Sequence, residues 1–236
     1  MVADCRGFDS FWFIRQNGKV EKEMIFVNFK TYQQGTGELA LSLAKICAEA
    51  AKETGVQIIP IVQAVDIFRL ASQGLTVWVQ HVDGIDFGSH TGQILPAAVL
   101  TAGAKGTLLN HAENKLSLEK IKAVMQECQN LQTLICAESI KEAQQMVTFK
   151  PDFLAYEPPE LISGQISVSQ ARPEVISDFV SQIKEVSILV GAGIHCQEDV
   201  KRTLQLGAKG VLVSSDVVLS DNSKQELLNL AGGFLS

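Results

Sequence analysis

Three reactive side chains stand just beyond short apolar runs, and their types define the chemistry on offer. Met24–Asn28 leads into Phe29 and Lys30, Gly106–Leu109 into Asn110-His111-Ala112-Glu113, and Phe153–Tyr156 into Glu157-Pro158-Pro159. Two later runs, Ile188–Val190 and Gly210–Val213, open into Gly191-Ala192-Gly193 and Ser214-Ser215. A carboxylate, an imidazole and an ammonium suit proton transfer next to a carbonyl. Backbone N–H groups in small-residue turns suit a phosphate. Asn28 and Lys30 alternate along an extended chain, so both can face one side. Taken singly, each feature has a plain structural reading. A lysine at a strand end is usually just solvated, a lone histidine is more often structural, and Gly-Ala-Gly can be only a tight turn. The combination, spread over five strand ends, is harder to dismiss.

Something must bring these five ends together. The apolar runs Met24–Asn28, Ile58–Val62, Val77–Val79, Gly106–Leu109, Thr133–Cys136, Phe153–Tyr156, Ile188–Val190 and Gly210–Val213 are short, rich in Val, Ile and Leu, and do not alternate with polar residues. Strands of a parallel sheet buried on both faces read this way. Amphipathic stretches lie between them: Glu38–Glu53, with Leu39, Leu43, Ile46 and Ala50 along one face, then Ser117–Gln129, Arg172–Lys184 and Gln197–Leu206. Gly55, Gly74, Gly103 and Gly207 fall where helices should end. Eight strand–helix units without an internal linker predict an α/β protein built as one closed (β/α)8 barrel, whose active site collects at the carboxyl ends of its strands. An open doubly wound sheet would normally carry a Gly-rich dinucleotide turn after its first strand, where Asn28-Phe29-Lys30 stands instead.

The bulk properties narrow the partners. The 236 residues are 46% hydrophobic and 19% charged, with a net charge of −6. No basic cluster points to nucleic acid or to an anionic membrane. No apolar stretch approaches the roughly 20 residues of a membrane span. The five cysteines are odd in number and without CxxC spacing, which predicts reduced thiols, no zinc site and a cytoplasmic setting. Residues 1–23 precede the first strand and match nothing after it. They are expected to be a poorly ordered N-terminal extension, although Phe11-Trp12-Phe13 could dock on the barrel or a partner, and residues 24–236 form the (β/α)8 barrel domain.

These residues resemble the triosephosphate isomerases, in the short archaeal-like form, over nearly all the chain from Met24 onward. NFKTY (28–32), LLNHAEN (108–114) and AYEPPELI (155–162) look like the family's strand-1, strand-4 histidine and base-plus-lid motifs. HVDGIDFGSHTG (81–92) resembles its interface loop, and VGAGI and GVLVSS its phosphate loops. The resemblance implies a TIM barrel that interconverts dihydroxyacetone phosphate and D-glyceraldehyde 3-phosphate without metal or organic cofactor, in the glycolytic and gluconeogenic step. It implies Glu157 as base, His111 as electrophile and Lys30 as the charge-balancing cation. Asn28, Lys30, Ser163, Gly191, Ala192, Gly193, Ser214 and Ser215 would bind the substrate. Glu113 would sit beside Lys30, and Thr91 would reach a neighbouring subunit's site in a homo-oligomer, dimer or tetramer. Residues 158–169 would form a closing lid.

The chain departs from the family pattern mainly on the phosphate side. The lid reads Ile162-Ser163-Gly164-Gln165 where glycines are usual, and Ser214-Ser215-Asp216 replaces A-S-G. Asp216 would repel a phosphate if it pointed inward and would matter little if it faced solvent. Ala112 replaces a serine expected to hydrogen-bond the base. Two alternatives follow: a diverged barrel acting on another small carbonyl compound, and a non-catalytic binding protein.

Overall fold

The computed structural model describes residues 24–158 and 173–235. Eight parallel strands close on themselves in sequence order: β1 Met24–Asn28, β2 Gln57–Val62, β3 Trp78–Val79, β4 Gly106–Leu109, β5 Gln132–Ala137, β6 Phe153–Tyr156, β7 Ser187–Val190 and β8 Gly210–Val213. β1 pairs with both β2 and β8, which completes the barrel. The helices are α1 Gly37–Thr54, α2 Ile67–Ala71, α3 Pro96–Thr101, α4 Leu118–Glu127, α5 Ile140–Met146, α6 Pro173–Gln182, α7 Gln197–Gln205, α8 Ser215–Val218 and α9 Ser223–Gly232. The expected strands all form, with edges moved by no more than a residue. The extension and most of the expected lid lie outside the described residues, as do Arg172, Ser163 and Gln165.

The strands carry apolar residues on both faces because each face meets a different core. Met24, Phe26, Ile59, Ile61, Trp78, Leu108, Leu134, Cys136, Phe153, Ala155, Leu189 and Leu212 fill the barrel interior. Their sequence neighbours, such as Ile25, Val27, Leu154 and Val190, pack outward against the helices. Three interior rings meet at Phe26–Trp78 4.8 Å, Phe26–Phe153 5.7 Å and Trp78–Phe153 6.0 Å. Gly106 makes room for them, since a Cβ there would lie 2.4 Å from the Trp78 ring.

The face α1 buries is not the one its large side chains suggest. Ala40, Leu43, Ala44, Cys47 and Ala50 are buried, while Leu39 is 49% exposed. Small residues let the helix axis lie close to the sheet, so the buried stripe is shifted from the one drawn through Leu39 and Ile46. The expected glycines do end their segments: Gly55, Gly74, Gly103 and Gly207 all have positive φ. Ser117 and Ser139 cap α4 and α5 by accepting backbone N–H groups. Among the described residues no cysteine is paired, and burial pushes the Cys47 and Cys128 thiols up to about 12. These are inert core thiols, and no described helix is long and apolar enough to cross a membrane.

Candidate active site

Strand parity delivers Glu157. Phe153 and Ala155 point into the barrel, and Tyr156 points out to stack on Phe179 at 4.3 Å. Glu157, two residues past Ala155, therefore aims over the barrel's end. Its N–H donates to the Ala137 carbonyl at 2.9 Å, and only 4% of the residue is exposed. Oε2 is buried without a hydrogen-bond partner. Burial pushes the Glu157 carboxyl above its usual value, against the downward pull of His111, of the Cys136 thiol that donates to it, and of Lys30. Gly191 leaves the space this side chain fills: a Cβ there would lie 2.6 Å from Glu157 Cγ and 2.8 Å from Oε1.

His111 faces the carboxylate, with Nε2 3.8 Å from Glu157 Oε1. The backbone N–H of Glu113 donates to His111 Nδ1 at 3.2 Å. An amide can only donate, so Nδ1 carries a lone pair and the ring proton sits on Nε2, toward the site. The turn that presents His111 is made by Asn110, which is 1% exposed and left-handed at φ 58°. Its Nδ2 donates to the Cys136 carbonyl at 2.8 Å and to Glu142 Oε1 at 2.9 Å, and its Oδ1 accepts the Leu116 N–H at 2.9 Å. Glu142 in turn accepts from Lys115 at 2.7 Å and from the Glu138 N–H at 2.7 Å. Burial pushes the Glu142 carboxyl up, but these hydrogen bonds outweigh it and hold the group below the usual value.

Lys30 reaches the site by a different route from the expected alternation. Its backbone is left-handed, at φ 46°. A lysine in that region is strained by about 1–2 kcal/mol. The turn is held by its neighbours: the Lys30 N–H donates to Asn28 Oδ1 at 3.0 Å, and its carbonyl accepts from Gln80 Nε2 at 2.8 Å. The ammonium, 16% exposed, donates to Glu113 Oε1 at 2.7 Å. Glu113 thus binds the lysine through its side chain and the histidine through its backbone.

The loops after β7 and β8 complete the mouth. Gly191-Ala192-Gly193 follows β7, with Ala192 buried and Gly193 at φ 66°. Ser214 at the end of β8 donates its hydroxyl to the Asn28 carbonyl at 2.8 Å, which ties this loop to β1. The Ser215 hydroxyl donates to Asp216 Oδ1 at 3.5 Å, and Asp216 Oδ2 meets His195 Nδ1 at 2.5 Å. Thr91 is exposed on the loop after β3 and lies outside this cluster. Pro158 is buried beside Glu157, and the rest of the expected lid is outside the described residues.

The structure therefore gathers Asn28, Lys30, His111, Glu113, Glu157, Gly191 and Ser214 at one end of the barrel. Sequence reasoning missed Gln80, Asn110, Lys115, Cys136, Glu142 and His195. Only Asn110 carried a usable signal: asparagine is enriched among residues with positive φ, and it immediately precedes the histidine. The others act through contacts between elements far apart in sequence.

A (β/α)8 barrel with a buried glutamate, a histidine protonated on the facing nitrogen and a lysine at the carboxyl end of its sheet defines a class: barrel enzymes of proton transfer. The comparisons give the family. Residues 23–231 match the family model for triosephosphate isomerase. The chain is 43% identical to the triosephosphate isomerase of Methanobacterium bryantii, covering 89% of this chain and 96% of that one. It is 44% identical to that of Methanopyrus kandleri, covering 89% and 96%. The crystal structure of the enzyme from Bartonella henselae superposes with a TM-score of 0.70 at 18% identity, covering 91% of this chain and 100% of that one, a likeness of fold. The chain belongs to the triosephosphate isomerase family.

Proposed function

We propose that Glu157, His111 and Lys30 carry the reaction of this isomerase, the interconversion of dihydroxyacetone phosphate and D-glyceraldehyde 3-phosphate. The ionised Glu157 takes a proton from the carbon next to the carbonyl, and the C–H electron pair moves into a carbon–carbon double bond while the carbonyl oxygen gains charge. His111 donates from Nε2 to that oxygen. Protonated Glu157 then returns the proton to the neighbouring carbon, while the hydroxyl on the first carbon gives its proton back to His111 Nε2 and becomes the new carbonyl, so nothing is consumed and no redox partner or cofactor is required. A glutamate base beside a neutral histidine electrophile is the known arrangement for this chemistry. The observation that carries the assignment is the pairing of His111 Nε2 with Glu157 Oε1 across 3.8 Å, with Nδ1 already occupied by the Glu113 N–H.

Lys30 balances the charge that phosphate and enediolate share, and Asn28 holds it by accepting its N–H. The loops Gly191–Gly193 and Ser214–Ser215 bind the phosphate, as loops after strands 7 and 8 of such barrels frequently do. Ser163, in the proposed lid of residues 158–169, adds a contact on closure. The unit of function is residues 24–236, with residues 1–23 an appendage. The same reading makes the protein a cytoplasmic homo-oligomer, dimer or tetramer, with Thr91 turned toward a neighbouring subunit. Exposed Val65, Phe68 and Phe87 on the loops and short helix after β2 and β3 support that interface, at 83%, 69% and 77% exposure.

The test is turnover of D-glyceraldehyde 3-phosphate by purified protein beside a Glu157→Gln control. Turnover that vanishes in the control is the expected result. A folded wild-type protein that leaves the triose unchanged would favour the diverged-substrate or binding-protein alternatives.

A further inference from the structure

The phosphate side of the mouth contains a histidine–carboxylate contact that the proton-transfer chemistry does not use. Asp216 stands two residues after Ser214 at the mouth, and a carboxylate there is poor company for a phosphate dianion. Its position is fixed from two sides. His195 Nδ1 meets Oδ2 at 2.5 Å, and the Ser215 hydroxyl donates to Oδ1 at 3.5 Å. His195 lies on the loop after β7 and Asp216 in the first turn of α8, directly after β8 and Ser214, so the contact joins the two segments assigned to the phosphate.

The histidine is itself held in place. Its backbone N–H donates to Asp199 Oδ2 at 3.0 Å, and the N–H of Cys196 donates to the same oxygen at 3.2 Å. Asp199 is 1% exposed in the first turn of α7, so the loop that carries His195 is anchored to a rigid element. The imidazole and the carboxylate are a little over one-third exposed, at 36% and 39%, and His195 Nε2 is buried without a hydrogen-bond partner. A partly exposed pair of this kind adds little to the stability of a fold. Its siting suggests a different use.

We propose that His195 is a specificity-determining residue for the phosphate end of the substrate, acting through Asp216. By holding that carboxylate against the β7 loop at the start of α8, it lets the two turns present backbone N–H groups and the Ser214 region, rather than a free negative charge, to the dianion. Without His195 the carboxylate can swing over the turn, well inside the roughly 8 Å over which salt fails to screen it. This inference rests on the isomerase reading and on those loops as its phosphate site.

The experiment is a double-mutant cycle with His195→Ala, Asp216→Asn and both together. It reads KM and kcat for D-glyceraldehyde 3-phosphate and, separately, the affinity for inorganic phosphate by calorimetry. His195→Ala should raise KM and weaken phosphate binding about tenfold, with kcat and the melting temperature nearly unmoved. Asp216→Asn should bind phosphate at least as well as wild type, and the double variant should match Asp216→Asn. His195→Gln, which keeps an N–H donor, should recover part of the loss and stands in if His195→Ala does not fold. Unchanged phosphate affinity in His195→Ala, or a double variant as weak as His195→Ala, would overturn the pair's role while wild-type turnover stands. Absence of turnover in the wild type would instead overturn the isomerase reading on which the inference rests.

Discussion

The two halves of the barrel mouth are built on opposite principles. The half proposed for proton transfer, from β1, β4, β5 and β6, relies on side chains that are mostly buried, with Glu113, 59% exposed, at its edge. Glu157 is 4% exposed, and Asn110, which sets the His111 turn, is 1% exposed. The half proposed to hold the phosphate, from the segments after β7 and β8, offers mostly backbone, and its polar side chains His195 and Asp216 remain more than one-third exposed. The difference follows from the task of each half. A proton moves only between groups held at hydrogen-bond range, so a small misplacement is costly. A phosphate can be held by amides that almost any small residue supplies.

The sharpest test of the buried half is Glu157→Gln. Turnover should fall by about 10³-fold or more, at the upper end of what one general base contributes. The same change should stabilise the fold at neutral pH. The folded protein holds the Glu157 proton more tightly than the unfolded chain does, because its carboxyl is raised by burial. Stability therefore falls as pH rises from the ordinary glutamate value through the raised one, and at pH 7 the ionised group works against folding. Thermal melts should show Glu157→Gln above wild type at pH 7, with the gap closing toward pH 4. The acid limb of kcat/KM should likewise lie above the ordinary glutamate range. A variant no more stable than wild type at pH 7 would mean that His111, Cys136 and Lys30 compensate the burial in full.

Gly191→Ala tests where the two halves touch, since Gly191 belongs to a phosphate loop yet presses on the base. Its backbone is not left-handed, so alanine fits the chain and only the new Cβ matters. That atom would lie 2.6 Å from Glu157 Cγ and must push the carboxylate aside. A displacement near 1 Å should cost about 100-fold in kcat. Inorganic phosphate, titrated by calorimetry, should bind as before. Lost phosphate binding with kcat intact would show that Gly191 serves only the phosphate.

Asn110→Gly separates a backbone requirement from a side-chain one. Glycine adopts φ 58° freely, so any defect comes from the missing amide. The Leu116 N–H would lose its acceptor, at about 1–3 kcal/mol for an unsatisfied buried group, and the Cys136 carbonyl and Glu142 would each lose one donor. We expect a melting temperature several degrees lower and roughly tenfold lower kcat as His111 loosens. Wild-type kinetics would mean that His111 is held by the Glu113 N–H alone.

These sites also show what could be read from residue order. Strands apolar on both faces, and glycines at helix ends, were legible because their cause is local: a twofold core and a steric rule. The place of Glu157 was legible because it stands directly past an apolar run, and the parity that turns it inward from Ala155 is local too. The route of Lys30 was not, because nothing in its side chain marks a left-handed backbone. That turn is imposed by Asn28 and by Gln80, whose sequence position gives no hint of the contact. The buried stripe of α1 was misplaced because small residues pack closely without looking hydrophobic. The fate of Asp216 was undecidable from order alone, since its partner His195 sits on another strand's loop.

The smallest effect should come from removing residues 1–23, which separates the barrel from what precedes it. Met24 is fully buried, pairs with Gln57 and Gly210, and begins the first strand, and the family match starts at residue 23. β1 thus closes the barrel through its own pairing with β2 and β8. A chain beginning at Met24 should change stability by no more than about 0.5 kcal/mol, as surface changes remote from the core do. For a domain of this size that is a shift of about 2 °C or less in melting temperature. Turnover should be equally unmoved. A large drop in melting temperature would place Phe11, Trp12 and Phe13 against the barrel. A change in kcat without one would tie the extension to the site.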